Sequence, residues 1–178
     1  YSHENMISLI SSIVRGFNFS PKDKQLAFLP FGHTASINYN LLPALLSGCD
    51  LFISKGFEHL RSNFFPVLAK FHITYTEVVP TVLFVLNKLK IDIKKYDLSS
   101  LSFIGCGSST LPLSSQKEFI NQYSIPVANL YGLSETGPTH IDDPRIPGWQ
   151  PGSLGIPLDV NKCKINTDGE ILIKGKNV

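Results

Sequence analysis

The sequence predicts an α/β fold: a mainly parallel β-sheet with helices on both faces, followed by a small β-hairpin unit. The first observation is an opening helical stretch followed by four or five alternations of a short apolar run with a stretch of helical periodicity, which is typical of a parallel sheet. The second is Asp168-Gly169, a tight-turn dipeptide between two alternating runs. The third is a charged fraction of only 17% beside 43% apolar residues, which indicates either a large buried surface or a face that packs against a segment outside this chain.

The predicted helices share apolar residues at spacings of three and four. Ser2 is placed to cap the first helix and Gly16 to end it, while Gly48 suits the C-terminal end of the second. Pro66 lies early enough in the third helix to fit its first turns. The helices are predicted at residues 2–16, 38–47, 61–72, 81–90 and 114–123.

The predicted strands are short runs rich in β-branched, aromatic and leucine residues. Those of the sheet are predicted at residues 25–29, 49–54, 73–79, 101–104 and 125–130. After residue 139 the chain becomes loop-rich, and the hairpin strands follow at 160–165 and 170–174. We therefore expect an α/β subdomain at residues 1–140, then a loop and the start of a small β subdomain at 141–178.

Composition excludes several classes of protein. The net charge is +2 and the lysines are scattered, so there is no footprint for nucleic acid. Cys49, Cys106 and Cys163 show neither metal spacing nor a disulfide framework, which favours reduced thiols and a cytoplasmic location. Cys106 is expected to pack rather than to react. No apolar run approaches the ~20 residues of a transmembrane segment, and the first residues do not form a signal peptide.

Three loops follow predicted strands, at residues 30–36, 105–112 and 131–137. Ligands of open α/β sheets bind in the crevice at the carboxyl ends of the strands. We therefore expect these loops to form the functional site. Gly137-Pro138 closes the last loop and is expected to continue neither a strand nor a helix.

The last loop combines four residue types that suit a nucleotide. The ring of Tyr131 can stack on a flat base, and Gly132 lets the backbone come close to a ligand. Ser134 can donate to a phosphate oxygen, and Glu135 offers the hard oxygen ligand that Mg²⁺ prefers. On these residues alone, an ordinary loop with a solvated glutamate explains the stretch equally well.

Several segments in this order resemble the adenylate-forming superfamily, which includes acyl-CoA synthetases, 4-coumarate-type ligases, luciferases and peptide-synthetase adenylation domains. The most specific is the stretch from Tyr131 to Glu135, which matches the superfamily's Tyr-Gly-x-Ser/Thr-Glu. Segments at 2–5, 151–155 and 169–175 also match in order, so the resemblance covers essentially the whole chain. It implies a central fragment of the large N-terminal domain of an acyl-CoA synthetase.

The resemblance implies a role for each residue around the nucleotide. Tyr131 would stack on the adenine, and the side chain of Asn129 would reach the adenine edge. Ser134 would contact the α-phosphate, and Glu135 would hold Mg²⁺ on the ATP phosphates. Gly132 would allow the backbone to approach the nucleotide.

The resemblance also implies roles in the two earlier loops. His33 would border the acyl-carboxylate site; on the residues alone, a loop histidine bonded to backbone is favoured. Gly107, Ser108 and Ser109 lie where the family usually has the start of Gly-Gly-Ala-Pro, against the other side of the adenine and along the acyl pocket. Ser108 and Thr110 replace the second Gly and the Pro, which bears on how closely this backbone approaches the base.

The implied activity of the intact enzyme has two steps, with a carboxylic acid, ATP, Mg²⁺ and coenzyme A. The carboxylate attacks the α-phosphorus of ATP to give an acyl-adenylate and pyrophosphate, and the thiol of coenzyme A or of a carrier protein then displaces AMP. The family's phosphate loop, ribose-binding Asp and catalytic Lys are expected outside residues 1–178. The chain alone is therefore expected to be inactive, to need the remaining segments of the same enzyme, and to self-associate through its bare faces.

Two other functions stay open on the residues. One is a nucleotide-binding or interaction module without chemistry; a Ser/Thr/Gly-rich loop ending in Lys just upstream would favour the enzyme instead. The other is a flavodoxin-like regulator, which needs an acidic phosphoacceptor at a strand end. No predicted strand ends with a clearly placed acidic residue.

Overall fold

A computed structural model describes all residues from 1 to 178. Its parallel strands are β1 (Lys24–Ala27), β2 (Asp50–Ile53), β3 (Tyr75–Val78), β4 (Phe103–Cys106) and β5 (Val127–Asn129). They form one five-stranded sheet in the order β2-β1-β3-β4-β5, and every neighbouring pair is parallel. Its helices are α1 (His3–Gly16), α2 (Thr34–Ser36), α3 (Leu42–Ser47), α4 (Phe57–Leu60), α5 (Phe64–Lys70), α6 (Pro80–Leu89) and α7 (Leu113–Tyr123). The predicted fold class is confirmed.

The sheet buries a separate apolar cluster on each face, because side chains alternate along a strand. Val78 and Ile104 face the larger cluster, which contains the apolar residues of α5, α6 and α7. Tyr75 and Phe103 face the smaller cluster beneath α1. In that cluster the ring of Phe17 stacks on Phe103 at 5.5 Å between centroids. Helices therefore cover both faces.

Helix α1 begins with the predicted cap. Ser2 and Asn5 bond reciprocally: the Ser2 hydroxyl accepts from the Asn5 N–H at 3.1 Å, and the Asn5 side chain accepts from the Ser2 N–H at 2.8 Å. This capping box satisfies backbone donors that a helix start leaves free. The helix ends at Gly16, as predicted.

The second helical segment starts earlier than predicted. It begins at Thr34 rather than at residue 38, passes through a π-helical turn (Ile37–Leu41) and continues as α3. The physical reason is a cap: the Nδ1 atom of His33 accepts a hydrogen bond from the Ala35 N–H at 3.2 Å. Gly48 ends the segment in the left-handed conformation, with a φ of +72°, as predicted.

Two other predicted boundaries are wrong for structural reasons. The helix predicted at 61–72 begins only at Phe64, since the Pro66 ring would clash with the carbonyl group four residues earlier in a longer helix. Gly105 and Cys106 belong to β4 rather than to the following loop, because they pair with Glu77 and Val78 of β3.

Three antiparallel hairpins follow the sheet. The first pairs β6 (Gly132–Leu133) with β7 (Gly137–Pro138). The expectation that Gly137-Pro138 belongs to neither a strand nor a helix is therefore wrong. The ladder is only two residues long, which is why it tolerates a proline at its end. The second, β8 (His140–Ile141) with β9 (Ile156–Pro157), was not predicted.

The third hairpin pairs β10 (Asn161–Ile165) with β11 (Ile171–Gly175) around Asp168-Gly169, as predicted. Gly169 has a φ of +81°, the conformation for which glycine is favoured in such turns. None of the helices has the length and apolar character needed to cross a membrane.

Candidate functional site

A cavity of about 320 Å³ opens at the carboxyl-terminal edge of the sheet. It lies between the loops that follow β1 and β4 and the segment that follows β5, where the crevice was expected. Five of the nine predicted site residues line it: His33, Ser108, Gly132, Ser134 and Glu135. The fold thus brings together residues that are about a hundred positions apart in the sequence.

The β6–β7 hairpin forms one wall of this cavity. Gly132 is required there, because a Cβ atom at that position would overlap the carbonyl oxygen of Gly137. Gly137 has a φ of +62°, which disfavours any residue with a side chain. The two glycines allow the chain to turn back within four residues and to present the turn between them to the cavity.

Two contacts from distant parts of the chain hold this turn. The Tyr1 hydroxyl donates to the carbonyl oxygen of Ser134 at 2.8 Å. The side-chain amide of Asn177, which is fully buried, donates to the carbonyl oxygen of Thr136 at 3.0 Å. Both use backbone acceptors, so they position the turn without occupying its functional side chains.

The side chains of Ser134 and Glu135 are exposed at the cavity and have no hydrogen bond or ion pair within the protein. The Glu135 charge nevertheless acts on its surroundings. The pKa of the Tyr1 hydroxyl is raised, first by burial and then by the nearby Glu135 carboxylate. A free hydroxyl and a free carboxylate on one turn are available to a polar ligand.

The loop after β1 contributes His33. Its Nδ1 atom accepts the Ala35 N–H, so the neutral ring carries its proton on Nε2. The ring is exposed and lines the cavity. His33 is therefore a loop histidine bonded to backbone, as the residues alone favour, and its Nε2 atom stays free at the cavity. Its role at an acyl-carboxylate site stays a prediction.

The exit from β4 forms the wall opposite the hairpin. A Cβ atom at Gly107 would come within 2.8 Å of Leu130, so only glycine allows these two segments to pack this closely. Ser108 has a φ of +69° and lines the cavity, whereas Ser109 is exposed and outside the lining.

Asn129 and Tyr131 flank the cavity without lining it. The Asn129 N–H donates to the Asp142 carboxylate at 2.8 Å. The Tyr131 ring meets the His140 ring edge-on, at 5.4 Å and 71°. Their predicted contacts with adenine, like the roles of the other site residues, stay predictions.

Sequence reasoning missed two groups that shape this region. One is Asp142, which is buried and also accepts the indole N–H of Trp149 at 2.7 Å. Burial raises the pKa of Asp142, although these two hydrogen bonds oppose that effect. Asp142 thereby fixes the backbone at Asn129, the residue where β5 ends. No pattern of a single sequence pairs residues 129, 142 and 149.

The other missed group is Glu77, the penultimate residue of β3. It is 1% exposed, and burial raises its pKa to about 8. The signal was present, since Glu77 is the only charged residue in the predicted strand at 73–79. β3 ends at Val78, one residue after Glu77, and a side chain this buried does not suit a phosphoacceptor. The expectation that no strand ends with a clearly placed acidic residue therefore stands.

No group of three or more metal-ligating side chains forms in the structure. A divalent cation held here would therefore take one carboxylate, Glu135, and complete its coordination with ligand and water oxygens. That arrangement fits Mg²⁺, which is usually bound through one or two carboxylates together with substrate phosphates.

Comparison with known proteins gives matches along the whole chain. The family model of AMP-binding enzymes matches residues 1–178. A marinolic acid–CoA ligase of Pseudoalteromonas sp. is 30% identical over 177 residues, which cover 86% of this chain and 26% of that protein. The 4-coumarate–CoA ligase CCL1 of Humulus lupulus is 30% identical over 144 residues, which cover 77% of this chain and 25% of that protein.

Solved structures share the fold. MatB from Rhodopseudomonas palustris, crystallised with ATP, superposes with a TM-score of 0.84 at 20% identity, over 99% of this chain and 36% of that one. The O-succinylbenzoate–CoA synthetase MenE of Bacillus subtilis, in complex with ATP and magnesium ion, gives a TM-score of 0.80 at 23% identity, over 99% and 38%. This chain thus spans between a quarter and two fifths of the length of each of these four proteins.

Proposed function

We propose, since this chain belongs to the AMP-binding enzyme family, that it is the central part of an ATP-dependent carboxylate–CoA ligase. The observation that carries the proposal is the β6–β7 turn, which presents the Ser134 hydroxyl and the Glu135 carboxylate to the cavity without protein partners. Relatives named as CoA ligases support the reaction class. We further propose that coenzyme A, rather than a carrier protein, accepts the acyl group.

In this proposal the cavity holds ATP and the carboxylic acid side by side. The acid's carboxylate attacks the α-phosphorus, the bond from that phosphorus to the bridging oxygen breaks, and pyrophosphate leaves. Ser134 donates to an α-phosphate oxygen, and Nε2–H of His33 donates to the acid's carboxylate and orients it. Donors aimed at the charge that develops in the transition state are a usual source of such rate enhancement. The thiol of coenzyme A then displaces AMP from the acyl-adenylate.

Glu135 is the residue proposed to hold Mg²⁺, which when bound neutralises charge on the triphosphate. Tyr131 and Asn129 are proposed to contact the adenine from the edge of the cavity. Gly107, Ser108 and Ser109 are proposed to form the opposite wall, and Gly132 to give the backbone its close approach. The free carboxylate of Glu135 and the positions of Ser108 and Gly132 in the cavity lining support these assignments.

The extent of the functional unit is also part of the proposal. We propose that further segments of the same enzyme complete the site, because the matched relatives are three to four times longer than their matched part. The division into residues 1–140 and 141–178, the cytoplasmic location and the self-association of the isolated chain stay predictions.

The test uses the full-length protein that contains this chain, with ATP, Mg²⁺, coenzyme A and a panel of carboxylic acids. Glu135→Ala is expected to lower the rate of acid-dependent pyrophosphate exchange by roughly 10²–10³-fold, a typical cost of losing one transition-state electrostatic contact. The fold is expected to persist, because the Glu135 side chain is exposed and makes no hydrogen bond or ion pair.

Glu58→Ala is the matched control, since Glu58 is an exposed glutamate on α4, away from the cavity. It is expected to exchange pyrophosphate at the wild-type rate. Wild-type exchange in Glu135→Ala rules out the role of Glu135. ATP binding without exchange for any acid supports the alternative, a nucleotide-binding module without chemistry.

A further inference from the structure

Behind the wall of the cavity, the sheet buries a carboxyl group that no protein atom satisfies. Glu77 is 1% exposed, and neither of its side-chain oxygens has a hydrogen-bond partner. Buried polar groups in folded proteins are nearly always bonded, so an exception needs an explanation. Neither of the two ion pairs in the structure involves Glu77, so no cation balances a charge on it.

Other unpartnered polar atoms lie in the same region. The hydroxyls of Tyr39 and Tyr75 are buried without partners, and the pKa of each is raised well above its ordinary value by burial and then by the nearby Glu77. The Nε2 amide of Gln25, which pairs with Tyr75 across β1 and β3, is also unpartnered. Hydrogen-bond donors and acceptors without partners are therefore buried together around Glu77.

This polar group adjoins the cavity. Gly105 lies beside Glu77 in β4, and the Tyr75 hydroxyl and Leu130 pack directly against it, each within 2.7 Å of where a Cβ atom would lie. Tyr39 and Leu130 both line the cavity as well. Tyr39 lies on the π-helical turn that packs on β1 and β3, and single π-helical turns occur frequently at functional sites. Its hydroxyl has no bond to break when the ring turns aside.

We propose that Glu77, together with the hydroxyls of Tyr39 and Tyr75, receives the far end of the acid substrate and selects carboxylic acids that carry a hydrogen-bond donor there. The donor is a hydroxyl or an ammonium group, and Tyr39 turns aside to admit it. The inference rests on the proposed ligase function and specifies its substrate class.

The ionisation state of Glu77 distinguishes the two donors. Burial raises its pKa to about 8, so at neutral pH the empty site holds mostly the neutral carboxyl. A ligand hydroxyl can accept from that carboxyl and donate to it, with no proton released. An ammonium group favours the ionised form, so its binding releases a proton. The titratable groups that face Glu77 are Tyr39, Tyr75 and Cys106, and all three are neutral in this range because their pKa values are raised.

The experiment compares kcat/KM for pyrophosphate release by the full-length protein across three series of acids. These are ω-hydroxy acids, ω-amino acids and unsubstituted fatty acids, matched pairwise in heavy-atom count and extended through increasing chain length. At the chain length that reaches Glu77, kcat/KM for either the ω-hydroxy acid or the ω-amino acid is expected to exceed kcat/KM for the matched fatty acid by roughly 10- to 100-fold. The reason is that a fatty acid leaves the buried polar atoms unpaired.

Variants at Glu77 separate selection from a structural role. Glu77→Leu is expected to reverse the preference, with kcat/KM falling for the donor acid and rising for the matched fatty acid. Glu77→Gln is expected to keep hydroxy acids within roughly tenfold and to lose amino acids, since an amide cannot form the ion pair. Glu58→Gln, on the exposed face of α4, is the control and is expected to keep the wild-type preference. A pH-indicator dye in weakly buffered solution measures the proton that is released when an ω-amino acid binds.

The outcomes are distinguishable. Equal kcat/KM for donor and fatty acids at every length, or an equal loss for all acids in Glu77→Leu, means that Glu77 does not select the acid. Either result overturns the inference while leaving the ligase intact. Pyrophosphate release with no acid at all overturns the proposed ligase and the inference together. Circular dichroism checks that each variant is folded, and Glu77→Gln, which keeps the size of the side chain, provides the answer if Glu77→Leu does not fold.

Discussion

Replacing Glu77 by glutamine is expected to remove a strong dependence of stability on pH. In the folded chain the pKa of Glu77 is raised by burial from its ordinary value of 4.5 to about 8. Between these two pH values the folded state holds a proton that the unfolded state releases. The free energy of unfolding therefore falls as pH rises from 4.5, and this contribution levels off above about pH 8.

The size of the effect follows from the two pKa values. Their difference corresponds to roughly 5 kcal/mol, at about 1.4 kcal/mol for each pH unit. This is comparable with the whole stability of a small domain, which is ~5–15 kcal/mol. Because the side chain is 1% exposed, solvent screening reduces the figure little.

The assay is urea denaturation of the 178-residue chain at a series of pH values, followed by the fluorescence of Trp149, the single tryptophan. Glu77→Gln is expected to match the wild type near pH 5 and to exceed it by several kcal/mol near pH 9. Tyr39, Tyr75 and Cys106 titrate in both proteins, so the difference between the curves isolates Glu77. Glu58→Gln is the exposed control. A difference that stays constant across this range refutes the reasoning.

Two further predictions concern the hairpin and the isolated chain. Gly132→Ala is expected to destabilise the β6–β7 hairpin by about 1–3 kcal/mol, because the new Cβ atom clashes with the Gly137 carbonyl oxygen. Gly32→Ala, at a site with open space, is the control. If the urea midpoints of the two variants shift equally, the clash is contradicted. The isolated chain is expected to bind ATP only in the millimolar range, since each missing charge-assisted phosphate contact costs about 1.5–3 kcal/mol. It is also expected to release no pyrophosphate with any acid; calorimetry that gives low-micromolar affinity, or measurable turnover, contradicts this.

The alternation of strands and helices was predictable because it depends on local periodicity and punctuation. The capping box at Ser2, the cap at Gly48 and the turn at Asp168-Gly169 are each decided by residues within a few positions of one another. The same is true of the loop from Tyr131 to Gly137, whose position after β5 brings it to the cavity.

The features that escaped prediction depend on contacts between distant segments. The π-helical turn at Ile37–Leu41 forms where the helix packs on β1 and β3, and no residue in it signals that change. Gly137-Pro138 joins a strand only because Gly132 lies opposite. Glu77 was visible as a charge in an apolar run, but whether it faced solvent, a partner or a cavity depended on the sheet order, which periodicity does not determine.

The hydrogen bond from Asn177 has a mechanical consequence. It joins the end of the β10–β11 hairpin to the carbonyl group of Thr136, beside Glu135, through a fully buried side chain. The Asn5 side chain donates in turn to the carbonyl oxygens of Lys176 and Val178, at 2.8 and 3.3 Å. These bonds tie the start of α1, the segment after β11 and the turn that carries Glu135 into one hydrogen-bonded unit. The turn is therefore anchored by segments that lie more than 40 residues from it on one side and more than 120 on the other, and not only by its own hairpin.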